Sequence, residues 1–359
     1  MKKLIWVVLL MWMLSVGACG VDISEKMGLR DLEGALPEAA QDNLQDITPE
    51  EPGDLKKGAE QIVTGSLQDG TILKAGVGLC VQITGIILLA ATMGAFGDGK
   101  TLGAVELGAV LAVGLCCLGR ISGLFSKVAQ AVDALSAFSG FLFSTLAATT
   151  AATGAVGAST AMYGVTVAVC GGLTRLLQGI FLPGVSCYLG LMLASAAVGD
   201  GSLSMVGDLL KQGLTLILKF GVIGFTAYLS LSGAISGSAD AATIRAAKLA
   251  ISTAVPVVGS LMADASETLL VSAGILRSGV GVFGMLGVLA VAMGPFLETG
   301  VSYLGLKLTA AVAAAAGEKQ LSGLVGAMAT GFGLLTALVG VAALLMIISC
   351  VCFMQVGVG

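Results

Sequence analysis

The run LVGAMATGFGLLTALVGVAALLMIISCVCF, residues 324–353, holds thirty consecutive residues without one charged side chain. About 20 predominantly apolar residues suffice to cross the roughly 30 Å hydrocarbon core of a bilayer, so this stretch reads as a membrane-spanning helix. Toward the N-terminus the same character recurs in Phe296 to Ala316, Leu269 to Met293, Leu214 to Ile235, Gly184 to Val198, Ala161 to Leu182, Ala137 to Ala158, Leu102 to Leu118 and Ala75 to Phe96. Some of these windows are short and some long. The expected architecture is therefore all-α, a polytopic transmembrane helical bundle of about seven to nine spans, one or two of them re-entrant or interfacial.

Composition points the same way. The 359 residues are 56% hydrophobic and 11% charged, whereas a soluble domain is roughly a quarter charged. Glycine is abundant at 53 residues and aromatics make up only 5%, a balance suited to helices that approach closely in lipid through small side chains. Histidine is absent. That excludes Ser-His-Asp and Cys-His nucleophilic systems, His-coordinated zinc and the usual neutral-pH proton shuttle. No enzymatic activity, cofactor or nucleic-acid partner is expected. Of the eight cysteines, all but Cys19 (Cys80, Cys116, Cys117, Cys170, Cys187, Cys350 and Cys352) sit in apolar sequence without metal-ligand spacing, and they read as small buried apolar residues.

The first seventy residues differ in character. Lys2 and Lys3 precede the apolar run Leu4 to Val16, and Val16-Gly17-Ala18 supplies the small residues a signal peptidase needs. Residues 1–18 thus read as a signal peptide cut between Ala18 and Cys19. Val-Gly-Ala-Cys equally spells a lipoprotein cleavage box that would leave Cys19 acylated. Residues 19–71 read as an acidic extracytoplasmic arm holding three of the six prolines, Pro37, Pro49 and Pro52. Within it Leu55, Ala59, Ile62 and Val63 recur at helical spacing, as either a short amphipathic helix against a membrane or partner, or a solvated tether. Residues 72–359 form the multi-span membrane domain, with brief Gly-rich connections at Gly97-Asp98-Gly99-Lys100 and Gly317-Glu318-Lys319-Gln320.

Two motifs carry the spelling of nucleotide sites. Gly94 to Thr101 fits G-x-x-x-x-G-K-[ST], but a phosphate loop follows a short buried strand, and here about 22 apolar residues precede it. Gly279, Gly281 and Gly284 spell G-x-G-x-x-G inside a spanning run with no βαβ pattern. They read instead as helix-packing glycines, as do Gly323, Ala327 and Gly331, which stand four apart on one helix face.

Charges inside apolar windows carry more information, because each costs roughly 2.5–3.5 kcal/mol at the bilayer centre on translocon scales. Glu106, Arg175, Lys219, Arg277, Glu298 and Lys307 are the candidates for intramembrane pairing or a polar pathway. Lys219 and Lys307 stand near window ends, where they can also snorkel. Pro183, Pro256 and Pro295 lie in apolar context and break or kink helices. Pro256-Val-Val-Gly259 splits an amphipathic stretch, with Arg245 and Lys248 before it and Asp264 and Glu267 after it. This resembles a re-entrant or interfacial segment.

The same region carries a family resemblance. Ser238 to Leu289, SADAATIRAAKLAISTAVPVVGSLMADASETLLVSAGILRSGVGVFGMLGVL, resembles the stage III sporulation protein AE of endospore-forming bacteria. The resemblance rests on Thr243-Ile-Arg245-Ala-Ala-Lys248, on Pro256 to Gly259, on Asp264-Ala-Ser-Glu-Thr268 and on the Gly-rich span that follows. It implies the large polytopic membrane component of a secretion-like channel complex linking mother cell and forespore and required for forespore development. The implied location is the mother-cell membrane surrounding the forespore. The implied partners are other stage III sporulation membrane proteins, ring-forming subunits and a separate ATPase, besides the lipid bilayer. The competing reading from the residues alone is an autonomous secondary transporter of a small solute, with the broken helix at Pro256 and the buried charges as its site.

Overall fold

The computed structural model describes residues 34–37, 40–41, 44, 55–68, 70–96, 99–152, 156–199, 201–231 and 279–356. The signal-peptide expectation, with Ala18 and Cys19, lies outside these residues, as do Arg277 and Thr243, Arg245, Lys248, Pro256, Gly259, Asp264 and Thr268. The described chain is helical, with no strand among the described residues. The elements are α1 (Leu55–Gln68), α2 (Gly70–Phe96), α3 (Gly99–Ala152), α4 (Val156–Leu176), a π-helical turn (Leu177–Phe181), α5 (Leu182–Val198), α6 (Gly201–Leu231), α7 (Gly279–Ala315) and α8 (Lys319–Val356).

Five helical stretches among the described residues are long and apolar enough to cross a membrane. They do not match the sequence windows one for one, because several windows join. Leu102 to Leu118 and Ala137 to Ala158 fall largely within the single 54-residue helix α3, which at about 1.5 Å per residue is roughly 80 Å long. Ala161 to Leu182 and Gly184 to Val198 follow one helical path through the π turn, with Pro183 in the first turn of α5. The described part of Leu269 to Met293 continues through Pro295 into Phe296 to Ala316 as the 37-residue α7. Proline there leaves the carbonyl of Val291 without its helical donor, yet the helix runs on because packing on both sides holds it.

The connections are tight. α2 ends at Phe96 and α3 begins at Gly99, so the Gly94 to Thr101 motif joins two helices, not a strand to a helix. Gly199 ends α5 at φ 73° and Gly317 separates α7 from α8 at φ 87°, the left-handed conformation that glycine alone adopts without a Cβ penalty. The second and third of these hairpins meet at their tips, where the Gln320 side-chain amide donates to the Ala196 carbonyl.

Glycine contacts give the register. Antiparallel α3 and α7 bring Leu142 against Gly284 and Phe138 against Gly287. Parallel α2 and α7 bring Val301 against Gly76 and Cys80 against Gly305. At Gly331 of α8 the close neighbour is Leu189 of α5, whereas Gly323 is exposed with open space above it. Ala327 and Gly281 are buried, and Gly279 is half-buried at the start of α7. A Cβ added at Gly287 would stand 2.6 Å from Phe138 Cζ and 2.9 Å from Cε1. Because the ring of Phe138 is fully buried, Gly287→Val is expected to cost about 1–3 kcal/mol by overpacking, read as a lowered unfolding midpoint of the detergent-solubilised chain.

At the centre stands α8. It touches α3, α4, α5, α6 and α7, and 94% of its most apolar window is buried, against 22% for α2. The amphipathic stretch before α2 is a helix, α1, with Ile62 and Ser66 buried on the face it lays against α7. Six of the cysteines are described and all are free; Cys117, Cys170 and Cys350 are buried, Cys80 and Cys116 half-buried, and Cys187 exposed. Cys187 thus departs from the buried role expected of it, since it lies on the outward face of α5.

Candidate functional site: an ion cluster where the apolar belt ends

Along α3 the outward face changes chemistry part-way. Leu107, Leu111, Leu115 and Leu118 are exposed in the first half, and Ser122, Ser126, Lys127, Gln130 and Asp133 follow on the outside. Exposed large apolar side chains also cover α2, from Leu73 to Phe96, and α6, from Met205 to Ile223. They form a belt that begins near the hairpin tips. Glu298 is 19 residues from Gly317 along α7, about 28 Å at the helical rise, so it lies close to one hydrocarbon thickness from the tips.

At this level α3 and α7 are joined by charge. Arg120 Nη2 donates to Glu298 Oε1 at 2.8 Å, and Lys127 Nζ donates to Oε1 at 3.0 Å and Oε2 at 2.8 Å. Arg120 and Lys127 are seven residues apart, two helical turns, and therefore share a face. Glu298 is 7% exposed, while the side chains of Arg120 and Lys127 are 25% and 55% exposed. A carboxylate this buried needs compensation, and both its oxygens are engaged. Below it Pro295 has broken one backbone bond, and nearby hydroxyls turn back onto the helix: Thr299 donates to the Pro295 carbonyl at 2.8 Å and Ser302 to that of Glu298 at 2.8 Å.

Of the five described charges among the six singled out in the sequence, only Glu298 lies in this cluster. Arg175, Lys219 and Lys307 are exposed and Glu106 is half-buried near the tip end of α3, so these four face outward or toward the belt's edge, not into a polar core. Arg120 and Lys127, which complete the cluster, lie between the windows Leu102 to Leu118 and Ala137 to Ala158 and so read as loop charges. Their seven-residue spacing, which puts both on one helix face within the 46-residue stretch Gly103–Ala148, was the signal that could have marked them. A second polar contact lies further along, where Gln178 Nε2 donates to Asp133 Oδ1 at 2.7 Å. Nothing in this arrangement supplies a nucleophile beside a base. Its chemistry is that of a clamp between two helices, carrying one surplus positive charge.

A family model for stage III sporulation protein AE matches residues 54–357. The chain belongs to the stage III sporulation protein AE family. The match begins just before α1 and ends just past α8, so the whole described bundle, ion cluster included, is the AE family's domain. An AE protein is thus a stage III sporulation protein, and five long apolar helices make this one a membrane protein. Neither the comparison with curated proteins nor that with solved structures gave a match.

Proposed function

We propose that this AE family chain is the large, non-enzymatic membrane component of a secretion-like channel complex between mother cell and forespore, seated in the mother-cell membrane. The family match over residues 54–357 carries this reading. The fold supports it: α8 forms a buried post that α3 to α7 wrap, and beside the ion cluster Gln130 and Asp133 give α3 a short polar outward face available to other subunits. The reading includes an exported N-terminus after signal cleavage and a total of about seven to nine spans, the five described apolar stretches among them. Partners on this reading are ring-forming sporulation membrane proteins and a separate cytoplasmic ATPase.

Affinity isolation of the full chain from sporulating cells of its endospore-forming host, in mild detergent, tests the proposal. The ring-forming subunits and the ATPase are expected to co-isolate, and deletion of the gene to stop late gene expression in the forespore. Isolation of the chain alone, together with normal sporulation of the deletion strain, would remove the proposal.

A further inference from the structure

We propose that Arg120 and Lys127 form a binding site for the phosphate of an anionic lipid headgroup. This inference does not depend on the role in a channel complex. Two cations face one carboxylate, so the cluster holds a positive charge that Glu298 does not neutralise. Donors remain. The Lys127 ammonium has three N–H groups, which meet the two Glu298 oxygens, and the Arg120 guanidinium five, of which Nη2 meets Glu298.

There is also room. Gly123 stands between the two cations on the α3 surface, exposed, with nothing within 4 Å of where a Cβ would be, so the helix presents a dip flanked by Arg120 and Lys127. The Ser126 hydroxyl, which accepts a hydrogen bond from Gln130 Nε2 at 3.2 Å, lies on the same side. The nearest exposed acid on α3, Asp133, is engaged by Gln178 instead.

Depth selects the ligand. The dip lies where the outward face of α3 passes from leucines to serines and charge, the level at which phosphates border the hydrocarbon. Basic pockets between membrane helices at that level recognise lipid phosphates, with each cation near the surface contributing on the order of 1 kcal/mol. A headgroup there would bring two acyl chains along the exposed leucine row of α3, which a free phosphate lacks.

The full chain is reconstituted in phosphatidylcholine vesicles containing a minor share of phosphatidylglycerol, extracted into mild detergent, and its retained lipid quantified. The parent protein is expected to retain phosphatidylglycerol several-fold over its share of the vesicle. Lys127→Gln, in which Arg120 still holds Glu298, is expected to lower that retention about five-fold, whereas Lys127→Arg and the belt control Lys307→Gln keep it. Retention by the parent in simple proportion to vesicle composition overturns the proposal. So does a Lys127→Gln protein as enriched as the parent, or an equal loss in Lys307→Gln. Inorganic phosphate added during extraction separates the sources: retention is expected to persist, and complete displacement would assign the site to free phosphate and overturn the lipid assignment.

Discussion

Glu298→Leu is expected to lower the stability of the bundle by about 3–5 kcal/mol, because removing one member of a buried ion cluster strands the others. The loss falls mainly on Arg120, whose side chain is three-quarters enclosed and whose Nη2 has Glu298 as its acceptor. Lys127, half-exposed, can turn outward to solvent or headgroups. The paired variant Arg120→Leu/Glu298→Leu is therefore expected to recover most of the loss, since apolar replacement of a whole buried pair is often neutral or stabilising. Unfolding of the detergent-solubilised proteins in a denaturant series reads both. A Glu298→Leu protein that unfolds with the parent, or a double variant no better than the single, would show that the cluster does not clamp α3 to α7.

The second large effect compares two leucines that the sequence treats alike. Leu335 on α8 is 0% exposed and Leu89 on α2 is 62% exposed. Leu335→Ala opens a cavity on the central post, where large-to-small changes cost 2–5 kcal/mol in general. Lipid tails are as apolar as leucine, so the transfer part of that cost shrinks in a bilayer and the cavity part remains, leaving about 2–3 kcal/mol. Leu89→Ala changes only a surface presented to hydrocarbon and is expected to stay within about 0.5 kcal/mol. Equal unfolding midpoints for the two variants would contradict the central position of α8.

These two results turn on features of different legibility. That this chain is a helical membrane protein was readable from the uncharged run at residues 324–353 and its counterparts, and the family from Thr243 to Thr268 and the glycines after them. The glycine turn at Gly317 was readable too, because turns are local chemistry. Helix continuity was not. Windows separated by Gly119-Arg120 or by Pro295 look like separate spans in one dimension, since charge and proline normally end an apolar helix. In the fold a partner helix supplies the countercharge at Arg120, and packing carries α7 through Pro295.

The candidate site shows the same division. Glu298 was marked by its apolar neighbours, yet its partners on α3 are 178 and 171 residues away in sequence, and the seven-residue spacing of Arg120 and Lys127 marks a shared helix face without naming the acid that it meets. Arg175, Lys219 and Lys307 stand in equally apolar sequence but point outward, because a helix can rotate a charge toward water or headgroups at little cost.

The amino-acid order alone determined the solvent, since local hydropathy sums without knowledge of neighbours, and with it the helical class and the tight turn at Gly317. Only the tertiary structure decided which apolar helix is wrapped by protein and which faces lipid, and which acid meets which base. Leucine is equally at home against a side chain or an acyl chain, and ion pairing depends on distances that close only when α3 lies along α7.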